Sequence, residues 1–526
     1  MSKRIKILCA LLVLPAILFA GNISLNPVSA YPLPSIYTKS LIFNLVVSGI
    51  DIPVVNYTEK YDYAHFLMST ETAEVIVSLS DEDITTYNVS PKKLNIPAQA
   101  KAKQLTFIIR KGDYLIIKIN KKKELVIVAD AEVKDKPKPR GKGVFNVLEP
   151  VYHADSTGKT LTTSSIQNAI NDASVYKNGI VYIPAGVYKV GNIELKSNTA
   201  IYLEEGAVLL FSGKAEDYTI NARKDSQKRN ITWWIYTKMG ARHIKLFGNG
   251  TLDGNGKFAT EKGKIGNHIL AIMGAEHFTL DGLIIRNSGA WAIMPTRAKN
   301  VVLKNFKLFN RFDMGENDGV DVIESQNVLV KHAIGIALDD PFSTKTWEQN
   351  TDLCRNWPGS PKAQKNIVFE NCISWTYCYG FKIGQGVMQP QSNIKFKNCV
   401  VYDAAVGIGI HHKWGTAFVK NVVFDGIDIE RLSYQNDDHR TWAILFMQNG
   451  DKKGSGPISN ITVKNIMVRD AGKFPGKIKG VSEVNNINHL TFSNIKMPDL
   501  NLPAQNLKEL RMTDIAFADD IKVSAR

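Results

Sequence analysis

The chain has 526 residues, 44% hydrophobic and 22% charged, with 38 glycines and a formal net charge of +15. That is the composition of a folded soluble protein, not a disordered one, and its length fits two or three ordinary domains or one long repeat domain plus a smaller one. The positive excess leaves three explanations open: an anionic substrate, an acidic wall or membrane surface, or solubility alone. No nucleic-acid-binding signature accompanies it, so no nucleic-acid partner is expected.

Residues 1–30 read as a signal peptide. Lys3, Arg4 and Lys6 form a basic start, the run from Ile7 to Ala20 is apolar but short for a bilayer, and Val28, Ser29 and Ala30 offer small residues for cleavage. Cys9 lies inside the apolar run, which argues against a lipid anchor there. No later segment is apolar enough to cross a membrane. The mature protein is therefore expected outside the cell or in a periplasm, as a monomer. Beyond residue 30 the cysteines are Cys354, Cys372, Cys378 and Cys399, too few for a disulfide scaffold and at no zinc-site spacing. No metal and no cofactor is expected.

Residues 31–133 carry short alternating runs such as Leu105-Thr-Phe-Ile-Ile109 and Tyr114-Leu-Ile-Ile-Lys-Ile119, separated by turn residues. They predict a small antiparallel β domain, sandwich-like, without a cluster of reactive groups. Residues 134–143, charged and holding Pro137 and Pro139, read as an extended linker.

From 144 to 526 the sequence repeats itself. Asn or His opens each unit and alternating apolar residues follow, as in Asn300-Val-Val-Leu-Lys-Asn305, Asn366-Ile-Val-Phe-Glu-Asn371, Asn393-Ile-Lys-Phe-Lys-Asn398 and Asn421-Val-Val-Phe-Asp-Gly426. Further units open at His243, His277, Asn327, Asn460 and His489, with 23 to 39 residues between successive starts. A period of this size with period-two alternation predicts a right-handed parallel β-helix, with Asn satisfying backbone groups in tight, partly left-handed turns. Long spacings, as between 327 and 366, predict loops on one side. Ser164 or Ser165 is the expected N-cap of a helix whose Ile166, Ala169 and Ile170 plug the open end. Cys372 and Cys399 fall at one place in consecutive repeats, where they either stack as small apolar groups or form a disulfide.

Several stretches resemble glycoside hydrolase family 28, the polygalacturonase family. Ser165-Ile-Gln-Asn-Ala-Ile170 with Tyr182-Ile-Pro-Ala-Gly-Val-Tyr188 resembles that superfamily's first coil. Gly248-Asn-Gly-Thr-Leu-Asp-Gly-Asn-Gly256 and Asn287-Ser-Gly-Ala-Trp-Ala-Ile-Met-Pro295 are similar to two of its later signatures, in the correct order. The family's Asn-Thr-Asp-Gly and Asp-Asp patterns correspond to Glu316-Asn317-Asp318-Gly319 and Asp339-Asp340. A spacing of 21 residues is about one coil, so the three carboxylates should share one face on adjacent coils. Inverting hydrolysis needs such a set, with acid and base about 6.5–9.5 Å apart. The resemblance implies Asp339 as general acid, with Asp318 and Asp340 holding and activating the water. Single acids such as Asp253 and Asp425 read as turn formers.

Three features depart from the family. Glu316 stands for its Asn, Cys378-Tyr379-Gly380 aligns with its Gly-His-Gly, and Gly409-Ile410-His411 aligns with its Arg-Ile-Lys, which removes two cations used on a galacturonate carboxylate. Lys345 and Lys382 are the candidate replacements, with His411, His412 and Lys413 nearby and Tyr379 in the lost histidine's position. His411 and His412 fit either substrate contact or a stacked turn. Trp347 and Trp414, beside polar or glycine-rich turns, are candidate sugar platforms, whereas Trp291 and Trp375 read as core or coil-edge residues. The insertion at 347–364 should wall the cleft. A β-sandwich ahead of a β-helix also resembles the dextranases of family 49, for which a neutral glucan would suit the missing cations. A polysaccharide lyase and a non-catalytic glycan-binding protein are the remaining alternatives.

Overall fold

In the computed structural model, which describes residues 27–434 and 440–526, an amino-terminal pair of facing antiparallel-rich sheets packs against a long parallel β-helix. The expected leader lies almost wholly outside the described residues. Val28–Ala30, expected at its cleavage site, is instead a strand of the larger sheet, paired antiparallel with residues 66–68. A cut after Ala30 would remove that strand.

The sandwich holds a seven-stranded and a five-stranded sheet. Its core lies between them, built from the inward residues of Phe43–Val47, Thr72–Leu79 and Gln104–Arg110 together with Leu115, Ile117, Leu125 and Ile127. Tyr114–Ile119 and Glu124–Asp130 are buried on both faces. Their second face, with Tyr61 and Tyr63, packs on Ile334, Ile336, Trp375 and Tyr402 of the helix. Arg286 is caged in this seam. It pairs with Asp253 at 3.3 Å, donates to the Tyr63 hydroxyl at 2.6 Å, and lies over the Tyr37 and Tyr57 rings at 4.2 and 3.9 Å. Asp253, expected as a turn former, is therefore also an anchor of the sandwich. Lys307 and Asp130 form a second buried pair at 2.5 Å.

The helix stacks its coils in register. Val301, Val328, Ile367, Ile394, Val422, Ile461 and Leu490 form one interior column. Phe369, Phe396 and Phe424 form another, their rings 4.9 Å apart and nearly parallel. Every residue named above as opening a repeat has a positive φ of 55–59°, where Asn is tolerated because its short side chain can bond locally. On the outside their amides form a ladder in which each Nδ2 donates to the Oδ1 one coil earlier. It runs Asn460 to Asn421, Asn393, Asn366, Asn327 and Asn300, at 2.9–3.2 Å. Cys372 and Cys399 are buried free thiols, so they stack and are not bridged.

The plug helix, Thr163–Val175, buries Ile166, Ala169, Ile170 and Ala173 over the open end. It starts ahead of the expected Ser164 or Ser165 cap, and Thr162 stands at the cap position without a side-chain capping bond. The threonine hydroxyls there are engaged elsewhere, Thr162 accepting from the Asp155 amide and Thr163 from that of Gly191. No helix among the described residues is long and apolar enough to cross a membrane.

Candidate active site

Asp318 precedes the strand Val320–Ile323, and Asp339 and Asp340 precede Phe342–Thr346, its parallel neighbour. The three acids thus sit at the entry of two adjacent strands, where the chain turns onto the face carrying the cleft. Backbone bonds tie the turns together: the Ala292 amide donates to the Asp318 carbonyl and the Gly319 amide to that of Asp340, both at 2.9 Å.

Each of two acids has its own buried lysine. Lys345 Nζ lies 2.8 Å from Asp318 Oδ2 and 2.9 Å from Asp321 Oδ1, and Lys382 Nζ lies 2.6 Å from Asp340 Oδ2. Among the described residues Asp339 makes no ion pair; it is half-buried, and its Oδ1 accepts the Asp340 amide at 2.9 Å. Burial, then the charge of Asp340, pushes the Asp339 carboxyl up to about 6 against the pull of Lys382 and Lys345. Burial and next Asp339 raise Asp318 as well, opposed by Lys345. Among the described residues, Asp318 Oδ1 has no hydrogen-bond partner. The arrangement sets one carboxyl without an ion pair among the described residues beside two that each meet a buried ammonium group.

The lysines expected as substrate cations are therefore committed to the acids. Tyr379 is buried, its amide donates to Asp340 Oδ1 at 3.3 Å, and its ring lies beneath Lys382 at 4.7 Å, so it braces that carboxylate. His411 meets Gln448 Oε1 at 2.9 Å, its ring 6.4 Å from that of Tyr379. His412 points away from the cleft. It is fully buried, with one ring nitrogen on the Ala417 carbonyl and the other on the Ser455 hydroxyl, and so holds a turn.

Trp291, Trp347 and Trp414 run along one side of the site. Trp291 and Trp347 stack at 6.3 Å, Trp347 and Trp414 lie 5.3 Å apart, and Lys345 sits 4.3 Å over Trp291. Trp347 and Trp414, both half-buried, line a 220 Å³ cavity with Leu353, Cys354 and Met388. Trp291, though buried, belongs to this row, while Trp375 lies in the seam with the sandwich. Residues between 347 and 354 of the insertion at 347–364 line that cavity, and Arg297 fastens the insertion. Arg297 Nε pairs with Glu324 at 2.7 Å, both fully buried, and its Nη1 donates to the Pro358 carbonyl at 2.9 Å and to that of Gly359.

Three residues of the site were not foreseen. Asp321, fully buried, accepts from Ser343 Oγ and Lys345; its signal was a charge inside an otherwise apolar strand. His268 donates from Nδ1 to the Trp291 carbonyl at 2.8 Å, and burial lowers its pKa to about 4, so it is a neutral prop. Asn317 accepts the amides of Leu338 and Asp339 at 3.1 and 3.4 Å, a bond that links distant segments and has no local sequence signature.

The comparisons with known proteins agree with this geometry. The family model for glycosyl hydrolases family 28 matches residues 174–437. The chain is similar to an exo-poly-alpha-D-galacturonosidase of Dickeya chrysanthemi, 25% identical over 254 residues, covering 38% of this chain and 41% of that protein. It thus spans under half the length of that relative. Among solved structures, the Yersinia enterocolitica family 28 exopolygalacturonase shares its fold at a TM-score of 0.56 and 17% identity, over 87% of this chain and 94% of that one. Dex49A from Penicillium minioluteum shares it at 0.56 and 12% identity, over 95% and 96%. With the family model covering half of its length, the chain belongs to glycosyl hydrolases family 28.

Proposed function

We propose that this protein hydrolyses a pectin-type polysaccharide, polygalacturonate or a rhamnogalacturonan, with inversion at the anomeric carbon. Asp339 donates its proton to the leaving oxygen, and Asp318 and Asp340 hold and activate the attacking water. The observation that carries this reading is the unequal treatment of the acids. Asp339, without an ion pair among the described residues, is pushed up to about 6, while Asp318 and Asp340 each face a buried lysine, Lys345 and Lys382. The relatives named for galacturonan cleavage support the substrate class. The half-buried Trp347 and Trp414 are placed to offer ring surface to sugar C–H groups. The basic and apolar leader supports export, and the chain is proposed to act as a monomer outside the cell or in a periplasm.

Digesting polygalacturonate, rhamnogalacturonan and dextran, with nuclear magnetic resonance of the first-formed anomer, tests this. Reducing ends of inverted configuration, formed without ultraviolet-absorbing unsaturated products, are expected from a pectic polymer. Asp339→Asn should lower kcat by about 10²–10⁴ on it. Full activity in that variant, or retained configuration, overturns the mechanism. A second reading, hydrolysis of a neutral glycan, is favoured by one observation: Lys345 and Lys382 are both ion-paired with acids. Cleavage of dextran alone would select it.

A further inference from the structure

Two tyrosines of the sandwich grip the point where the chain leaves a coil to form the loop presenting Asp318. The Tyr57 hydroxyl donates to the Phe309 carbonyl and the Tyr61 hydroxyl to the Asn310 carbonyl, both at 2.7 Å. Phe309 ends the strand Lys307–Phe309, and Asn310 is the first residue beyond it. From there the bonds continue without a gap. The Asn310 carboxamide accepts the Ser288 amide at 2.9 Å and donates to the Asn317 carbonyl at 2.7 Å. Asn317, fully buried, donates to the Arg311 carbonyl at 2.6 Å and accepts the Leu338 and Asp339 amides. Asp318 is the next residue. One connected set of bonds therefore leads from the sandwich to the backbone of both Asp318 and Asp339. Tyr61 is itself immobilised, fully buried against Phe309, Phe312 and Trp375.

The same seam contains a natural control. The Tyr114 hydroxyl donates to the Asn305 carbonyl at 3.0 Å. Asn305 bonds onward to Asp281 and His332, and His332 bonds back to the Gly112 carbonyl of the sandwich.

We propose that Tyr57 and Tyr61 are positioning residues for catalysis: the sandwich is a clamp that fixes the exit of the acid-bearing loop and, through Asn310 and Asn317, sets Asp318 against Asp339. The inference rests on these two acids being the hydrolytic pair. Its physical basis is that displacement of a reacting group by about 1 Å can lower a rate about 10²-fold, while leaving ground-state binding largely intact.

The test uses the full chain on the polymer that the wild type cleaves. Tyr57→Phe, Tyr61→Phe, the double variant and Tyr114→Phe are compared for kcat, KM and thermal midpoint. The double variant should lose about 10- to 100-fold in kcat with KM changed by less than about twofold. Tyr114→Phe, which removes an equivalent bond across the same seam, should keep the wild-type kcat. Wild-type kcat in the double variant, a loss seen only in KM, or an equal loss in Tyr114→Phe would each overturn the proposal. Should Tyr61→Phe not fold, the half-buried Tyr57→Phe carries the comparison alone. Asp339→Asn is assayed in parallel: full activity there refutes the acid assignment itself, a result distinct from silent tyrosine variants. A wild type that cleaves no glycan refutes both.

Discussion

A β-carbon placed on Gly409 would meet Tyr379 Cε1 at 2.5 Å, a distance no real side chain tolerates. The Tyr379 ring thus occupies the space into which any side chain at position 409 would extend. Gly409→Ala should displace Tyr379 from Asp340 and Lys382 and lower kcat. Because the damage runs through the ring, Gly409→Ala should add little to Tyr379→Ala, a double-mutant cycle showing coupling of about 0.5–3 kcal/mol. The pH profile supplies a second expectation. As the proposed acid, Asp339 would donate only while protonated, and burial pushes its carboxyl up to about 6, so kcat/KM should fall as pH rises through that value. A profile flat from pH 5 to 8 contradicts its role as the acid. That Asp318, Asp339 and Asp340, picked out by the family resemblance, would lie on adjacent strands was legible because the 21 residues from Asp318 to Asp339 are about one coil. The fate of Lys345 and Lys382 was not, since spacing says that a cation is near without saying which anion it faces.

At the scale of elements, the cleft wall at 347–364 was announced by a long interval between repeats and by its Pro, Asn and Trp content. Its fastening was invisible, because Arg297 lies some fifty residues earlier in the chain and its partner Glu324 sits on a turn of the next coil. Arg297→Ala should leave Glu324 buried without its counter-charge, a loss of about 3–5 kcal/mol, and should release the carbonyls of Pro358 and Gly359. The expected result is a lower thermal midpoint together with a raised KM. A stable variant with unchanged KM would mean that the wall stands without this anchor. Coil stacking, by contrast, was readable almost residue by residue, since Asn and His at fixed phase mark left-handed positions whose physics is local.

For the whole molecule, the seam between sandwich and helix is the part the sequence concealed. The run Leu-Val-Ile-Val-Ala from Leu125 to Ala129 is apolar throughout, the pattern of a strand covered on both faces, yet what covers the second face lies some two to three hundred residues further on. The seam also confers a pH dependence. Burial pushes Asp130 up to about 6 despite Lys307, whereas an unfolded chain would hold it near about 3.9. The folded state therefore binds the extra proton between these values, and Asp130's contribution to stability falls as pH rises across that window. Asp318, Asp321 and Asp339 are shifted in the same direction, so the measurement is the difference between wild type and Asp130→Asn in thermal midpoint from pH 4 to 7. The wild type should decline more steeply. Parallel curves would show that the seam does not titrate.

The asparagine ladder has a direction as well as a register. Every amide from Asn460 back to Asn327 donates toward the coil made before it. A coil emerging during synthesis thus brings a donor to an acceptor already in place and, once seated, presents the acceptor for its successor. The nascent chain can be templated one coil at a time from the amino-terminal end, with the growing tip always offering the same chemical group to the next segment.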